Sequence, residues 1–361
     1  MADFLLENRT SEQMRSTAPL ISLALMHTIE TIFLVVLSSC VCLFGLFSNL
    51  VNLVIFWKHG FRESITVGLM GLAVSDTCTI LCGAVLAVCF NPLIPFSEIG
   101  VNIRAVQNLV GSRPRVCFAR ATALITMYIT LERCLCVALP LRVKTILTPA
   151  RTLAVVVSIF ASVLLIYSPI WAAYRLEWTF SPSQNASELT LVSAPNAEEL
   201  EGFSFVITVC VQLTCFTVLV TLTSVLVILL KRRSQWRAQV TRSTAGSSHR
   251  KVMSRQEQNA IKLTIMVAAI LICSLLPGTM LLFTTFLEPE FNLGRRYENL
   301  FFSIWPIVSF SEVSNASANI FVYYHMNSKY RNTFRDLFCR ERDNRVKVTR
   351  LTVADGSGSV D

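Results

Sequence analysis

Four ionisable side chains stand inside stretches that are otherwise almost free of charge: Asp76, Arg115, Arg120 and Glu312. A charge held in apolar surroundings costs about 2.5–3.5 kcal/mol even on lenient scales, so each needs a partner or a purpose. Arg120 lies thirteen residues before Arg133, a rise of about 20 Å along a helix, too deep to reach water from a helix end. Glu312 is the carboxylate available to it. Two guanidinium forks and one carboxylate, Arg115, Arg120 and Glu312, are the chemistry that reads an anionic or zwitterionic group such as an amino acid or a peptide terminus. The competing reading is an internal Arg120–Glu312 ion pair that fixes packing. Nothing resembles a catalytic set: there is no HExxH or Walker A pattern, and the chain has 4 His in all, so an enzyme is not expected.

The elements that must hold these groups are apolar and long. The 361 residues are 53% hydrophobic and 15% charged, with a mean hydropathy of +0.55, too apolar for an ordinary soluble domain. A bilayer core of about 30 Å asks for roughly 20 apolar residues per helix. Seven runs qualify: Glu30–Trp57, Ile65–Phe90, Arg115–Leu139, Ala150–Ala173, Phe203–Leu230, Ala260–Leu287 and Leu300–Tyr324. They are twice the length of barrel strands and apolar on every side. The fold expected is an all-α membrane protein, a seven-transmembrane helix bundle. No cleavable leader is apparent before Glu30, so the first helix is expected to direct insertion.

Basic residues set the sidedness. The connection after the first run and the one after the third, with the chain from Lys231 to Lys262 and the C-terminal tail, hold 23 of the 32 Lys and Arg. That face is expected in the cytoplasm and the N-terminus outside. The expected division is an extracellular tail over 1–29, a seven-helix domain over 30–324 and a cytoplasmic helix and tail over 325–361. The net charge of +9 is then a topology signal with attraction to anionic inner-leaflet lipid, not a nucleic-acid signature. Sequons at Asn8 and Asn185 fall on the outer side as candidate glycosylation sites, whereas a third at Asn315 lies inside the seventh run. The 12 Cys read as small buried hydrophobes.

The third run ends in Glu132-Arg133-Cys134. Asn49 stands in the first run, Asp76 in Leu72-Ala73-Val74-Ser75-Asp76 of the second, and Pro277 in the sixth. The seventh closes in Asn319-Ile320-Phe321-Val322-Tyr323, and an amphipathic stretch from Ser328 to Phe338 follows. In order and spacing, over roughly residues 31–339, this resembles the rhodopsin-like (class A) G-protein-coupled receptors. The wording around Glu132–Lys144 and Asn319–Tyr330 is most like molluscan chemosensory and neuropeptide (FMRFamide-type) receptors.

The resemblance implies a plasma-membrane receptor that binds an extracellular small molecule or peptide and activates a heterotrimeric G protein. It implies that Glu132, Arg133, Pro277, Asn319 and Tyr323 carry activation. Asn49, Asp76 and Asn315 would line a polar pocket able to hold an allosteric sodium ion, with no other cofactor or metal. Cys339 would carry a palmitoyl anchor. Arg115 occupies the position where amine receptors place a carboxylate, which disfavours a monoamine. The outer glutamates Glu188, Glu198, Glu199, Glu201, Glu288 and Glu290 would instead suit a cationic peptide. The seventh run departs from the family pattern with Ile320 for proline, and the sixth with Leu275 for tryptophan. The disulfide from the long outer loop to the third helix is missing, since Asn108 stands at the matching position, and that loop is expected to be more mobile. An opsin is excluded because Leu300–Tyr324 contains no lysine for a Schiff base. A secondary transporter of a small polar solute is the alternative, although no internal repeat is evident.

Overall fold

The structure is a computed structural model that describes residues 20–96, 100–139, 142–181, 185–243, 255–291 and 295–338. Asn8 and Cys339 lie outside the described residues. Helix α1 spans Leu23–His59, α2 Ser64–Cys89, α3 Gln107–Ala138, α4 Pro149–Ala173, α5 Ala197–Ser243, α6 Arg255–Leu287, α7 Glu298–Met326 and α8 Ser328–Phe338. The segments α1 to α6 are long and apolar enough to cross a membrane by length and composition. Helix α7, with 29 residues, is about 43 Å long and also sufficient, but polar residues interrupt it.

Local chemistry sets the helix ends. The Ser22 hydroxyl accepts the Leu25 N–H at 3.3 Å to start α1, and Gly60, at φ +75, ends it where a side chain would be strained. Thr148 caps α4, with Pro149 in the first turn. Pro114 has no N–H to give, and the turn before it, Gln107–Ser112, widens to a π-helix. Helix α1 begins at Leu23, ahead of the apolar run that starts at Glu30. Helix α5 runs on to Ser243, through sequence expected as loop from Lys231, because Lys, Arg and Gln are good helix formers.

The bundle is polar in its middle and apolar outside. Leu43, Phe47, Leu165 and Phe283 are exposed around its circumference, as lipid-facing residues would be, whereas Ser48, Asn49, Ser75, Asp76 and Thr130 are fully buried. At Gly45, an added Cβ would overlap the Ser317 hydroxyl, so α1 and α7 approach closely there. The Asn49 amide then reaches the Ala316 carbonyl at 2.8 Å.

At one end, the long loop after α4 forms an antiparallel hairpin, β1 (Tyr174–Ser181) on β2 (Ala186–Ser193). With no covalent bridge at this end among the described residues, backbone hydrogen bonds fasten the hairpin to the chain before α3. Leu189 of β2 bonds the chain before α3, its N–H to the Gly100 carbonyl at 2.8 Å and its carbonyl to the Asn102 N–H at 2.9 Å. Asn185 lies exposed in the hairpin turn at φ +50, a conformation asparagine tolerates better than most residues.

Candidate functional site

Four polar assemblies run down the bundle axis from the hairpin end to the α8 end. The uppermost joins the hairpin base to the tops of α3 and α5. Arg113 donates to Asn108 at 3.0 Å and to Glu201 at 2.8 Å, its guanidinium lies 5.4 Å from the centre of the Tyr174 ring, and the Tyr174 hydroxyl donates to Glu201 at 2.5 Å. Burial and the Glu201 carboxylate push the Tyr174 phenol up to about 12, so it remains a donor at any physiological pH.

Below it, Arg115 and Arg120 of α3 converge on Glu312 of α7. Arg115 Nη1 bonds Glu312 Oε2, and Arg120 Nη2 bonds Oε1 at 2.9 Å. The three residues are 1%, 4% and 6% exposed, so the cluster is sealed from solvent in this conformation. One carboxylate therefore serves two guanidinium groups. Arg115 Nε and the Nε and Nη1 of Arg120 have no hydrogen-bond partner among the described residues.

Glu312 also lines a small cavity with Asp76, Thr79, Thr122, Ser274 and Asn315. About 10 Å³ of it can take the centre of a water molecule, room for one water or one bare ion. Asp76 is fully buried and accepts from Thr122 at 2.9 Å and from Asn319 at 2.8 Å, which ties α2 to α3 and α7. The oxygens of Asp76, Thr79, Thr122 and Asn315 fit a hard monovalent cation in chemistry and size. Asn49 stands away from this cavity and binds the α7 backbone. Buried Asn315 is a wall of the cavity. Among the described residues no group of three His, Cys, Asp or Glu could hold a transition metal.

Leu275 forms part of the same cavity wall and packs with Ala123 of α3 and Cys215 of α5. Two residues on, Pro277 removes the N–H that would bond the Cys273 carbonyl four residues back, and so weakens α6 locally. Gln212 of α5, fully buried, clips this region: its amide donates to Thr279 Oγ1 at 2.8 Å and to the Leu275 carbonyl at 3.4 Å. In α7, Ile320 retains the N–H that proline would lack, and the helix runs unbroken to Met326.

At the α8 end Arg133 donates to the adjacent Glu132 at 3.1 Å, with Glu132 1% exposed and its second oxygen without a partner among the described residues. Tyr323 is buried with its ring 5.3 Å from Phe56 and 5.7 Å from Tyr330. The Tyr330 hydroxyl donates to Asn52 at 2.6 Å, Asn52 to Asn49 at 3.3 Å, and Asn49 to Ala316. A chain of hydrogen bonds thus runs from α8 through α1 into α7.

Sequence reasoning singled out Arg115, Arg120 and Glu312, and the structure brings them together. It passed over Thr122, Gln212, Asn52, Tyr330 and Tyr174, and it named Glu201 only as an outer glutamate suited to a cationic peptide, whereas the structure ties that carboxylate to Arg113 and Tyr174. Gln212 carried a signal, being the lone amide inside the fifth apolar run. Tyr330 carried another, an aromatic seven residues after Tyr323 in the amphipathic stretch that follows the seventh run. A family model described as the serpentine type 7TM GPCR chemoreceptor Srw matches residues 36–341. No curated protein matches the chain.

Proposed function

The chain belongs to the Srw family of serpentine-type seven-transmembrane G-protein-coupled chemoreceptors, and we propose that it detects a soluble anionic or zwitterionic cue at Arg115, Arg120 and Glu312. It is a multi-pass plasma-membrane receptor. The observation that carries the ligand reading is the buried charge imbalance of that cluster, in which two guanidinium groups share one carboxylate and keep donors with no partner among the described residues. A ligand carboxylate could take those donors once the hairpin end opens, by the forked geometry that favours arginine at carboxylate sites. A small amino acid or the terminus of a peptide has that chemistry.

In this reading the hairpin end faces outward, with Asn185 exposed to glycosylation, and the basic α8 end meets the heterotrimeric G protein. Activation would follow the rhodopsin-like pattern. The Glu132–Arg133 pair holds the resting state, and its release accompanies movement of the α8-side half of α6 about Pro277. Leu275, Asp76 and Asn319 would link the ligand cluster to that movement, and a sodium ion beside Asp76 would favour the resting state.

The test is calcium release in cells carrying a promiscuous G protein, challenged with amino acids, amidated peptides and amines, beside Arg133→Ala at equal surface level. An amino acid or peptide response that is lost in Arg133→Ala and weakened at least tenfold in Arg120→Gln is expected. Uptake of a labelled solute with no signalling would instead return a transporter.

A further inference from the structure

A proline inside a helix leaves two half-helices joined by a weakened turn, and a side chain that bonds both halves determines whether they move as one. In α6 that turn is at Pro277. Gln212 of α5 donates through one amide nitrogen to the Leu275 carbonyl at 3.4 Å and to Thr279 Oγ1 at 2.8 Å. Leu275 lies two residues before the proline and Thr279 two after it, so a single side chain straddles the break. Thr279 Oγ1 in turn donates to the Leu275 carbonyl at 2.8 Å, which closes a triangle of three bonds over the weak turn. The partners fix the amide's orientation. A carbonyl only accepts, and the threonine proton is already given to it, so the Gln212 nitrogen and not its oxygen must face α6. That oxygen is fully buried with no partner among the described residues, an expense in free energy that an apolar side chain kept for packing would not incur. The contact from α7 is different in kind: the Ser311 hydroxyl on the Ser274 carbonyl, at 3.1 Å, lies on one side of the proline.

We propose that Gln212 is a splint across the α6 proline, a positioning residue that keeps the two halves of α6 at their resting angle. Its longer bond, to the Leu275 carbonyl, must give way before the α8-side half can swing. The inference rests on the reading of α6 as the element that moves. The bond to Thr279 belongs to the hairpin-side half and persists, because the pivot lies between the two attachment points. The released carbonyl keeps its bond from Thr279, so opening breaks one hydrogen bond and strands no acceptor in the interior, as a reversible step requires. Leu275 and Glu312 wall the same small cavity, so a shift of Glu312 bears directly on the residue whose carbonyl the splint holds.

The test reads the position of α6 without any ligand. In the full chain, purified in detergent, a trifluoromethyl phenylalanine takes the place of exposed Lys262 in the α8-side half of α6, and its fluorine-19 spectrum is recorded. Basal nucleotide exchange on a promiscuous G protein is measured with the unlabelled chain. Gln212→Met keeps the length of the side chain and removes its donors; it should add a second resonance at the expense of the first and raise exchange about fivefold, a coupling of ordinary size. Thr279→Val should do the same in part and Thr279→Ser should match the parent. Gln212→Met combined with Thr279→Val should exceed Gln212→Met alone by little, because both act through one linkage. A Gln212→Met protein whose thermal midpoint falls while its spectrum stays that of the parent has lost packing alone, and this overturns the proposal. Should Gln212→Met not fold, the threonine pair decides: a second resonance in Thr279→Val but not in Thr279→Ser supports the splint, and equal spectra refute it. A second resonance in Gln212→Met with no nucleotide exchange by parent or variant leaves the splint standing and sinks the receptor reading instead.

Discussion

Helix α3 carries arginine ion pairs toward both ends, and the two are built on opposite principles. Arg115 and Arg120 reach across to a carboxylate on α7, 197 and 192 residues further along the chain. Arg133 pairs with its own neighbour, Glu132, and is 14% exposed. The first arrangement crosslinks helices in a sealed interior, so removal of its single anion leaves two cations stranded. The second is local and lies near water, so Arg133 can give up its partner and find another. One end is therefore suited to hold and the other to switch.

The sharpest way to break this contrast is Glu312→Gln. It should cost about 3–5 kcal/mol, as expected when a buried pair loses one member, and appear as a large fall in thermal midpoint and surface level. A midpoint within a degree or two of the parent would mean that the cluster is already balanced by other means. Next is Asn319→Ala, which removes one of two donors to a buried carboxylate and should cost about 1.5–3 kcal/mol in the same assay. Tyr330→Phe keeps the ring against Tyr323 and deletes only the bond to Asn52, at about 1 kcal/mol. Glu132→Gln should change stability by less than about 1 kcal/mol, because Arg133 can rehydrate, yet raise ligand-free signalling severalfold. If it destabilises as Glu312→Gln does, the two ends are not different in kind. The smallest effect is expected from reductant: none of the described cysteines is in a disulfide, so dithiothreitol should leave the midpoint unchanged.

The elements of this fold were legible because lipid simplifies the code. Spans such as Ser64–Cys89 and Pro149–Ala173 announce themselves by length and apolarity, and Arg120 demanded a carboxylate at membrane depth, for which Glu312 was the obvious candidate. The hairpin end was not legible. Tyr174–Ser193 lies where water competes for every hydrogen bond, and neither the Val101–Leu189 bridge nor the Arg113–Glu201–Tyr174 group leaves a periodic trace. The backbone bonds from Leu189 to Gly100 and Asn102 were missed there because one covalent link was taken as the only means of fastening. Tyr330 and Asn52 were missed for a related reason: their bond joins helices 278 residues apart in sequence.

The separation of Arg120 from Glu312 also bears on how the protein is made. With 192 residues between them and synthesis at about 5–20 residues per second, α3 is complete roughly 10–40 s before its carboxylate leaves the ribosome. For that interval a helix bearing two arginines has no counter-charge from α7. Early spans are thus kept waiting in a polar or chaperoned setting, and the bundle closes only when its seventh helix arrives. Truncation before α7 should then leave a product that cellular quality control recognises by its unmatched third helix.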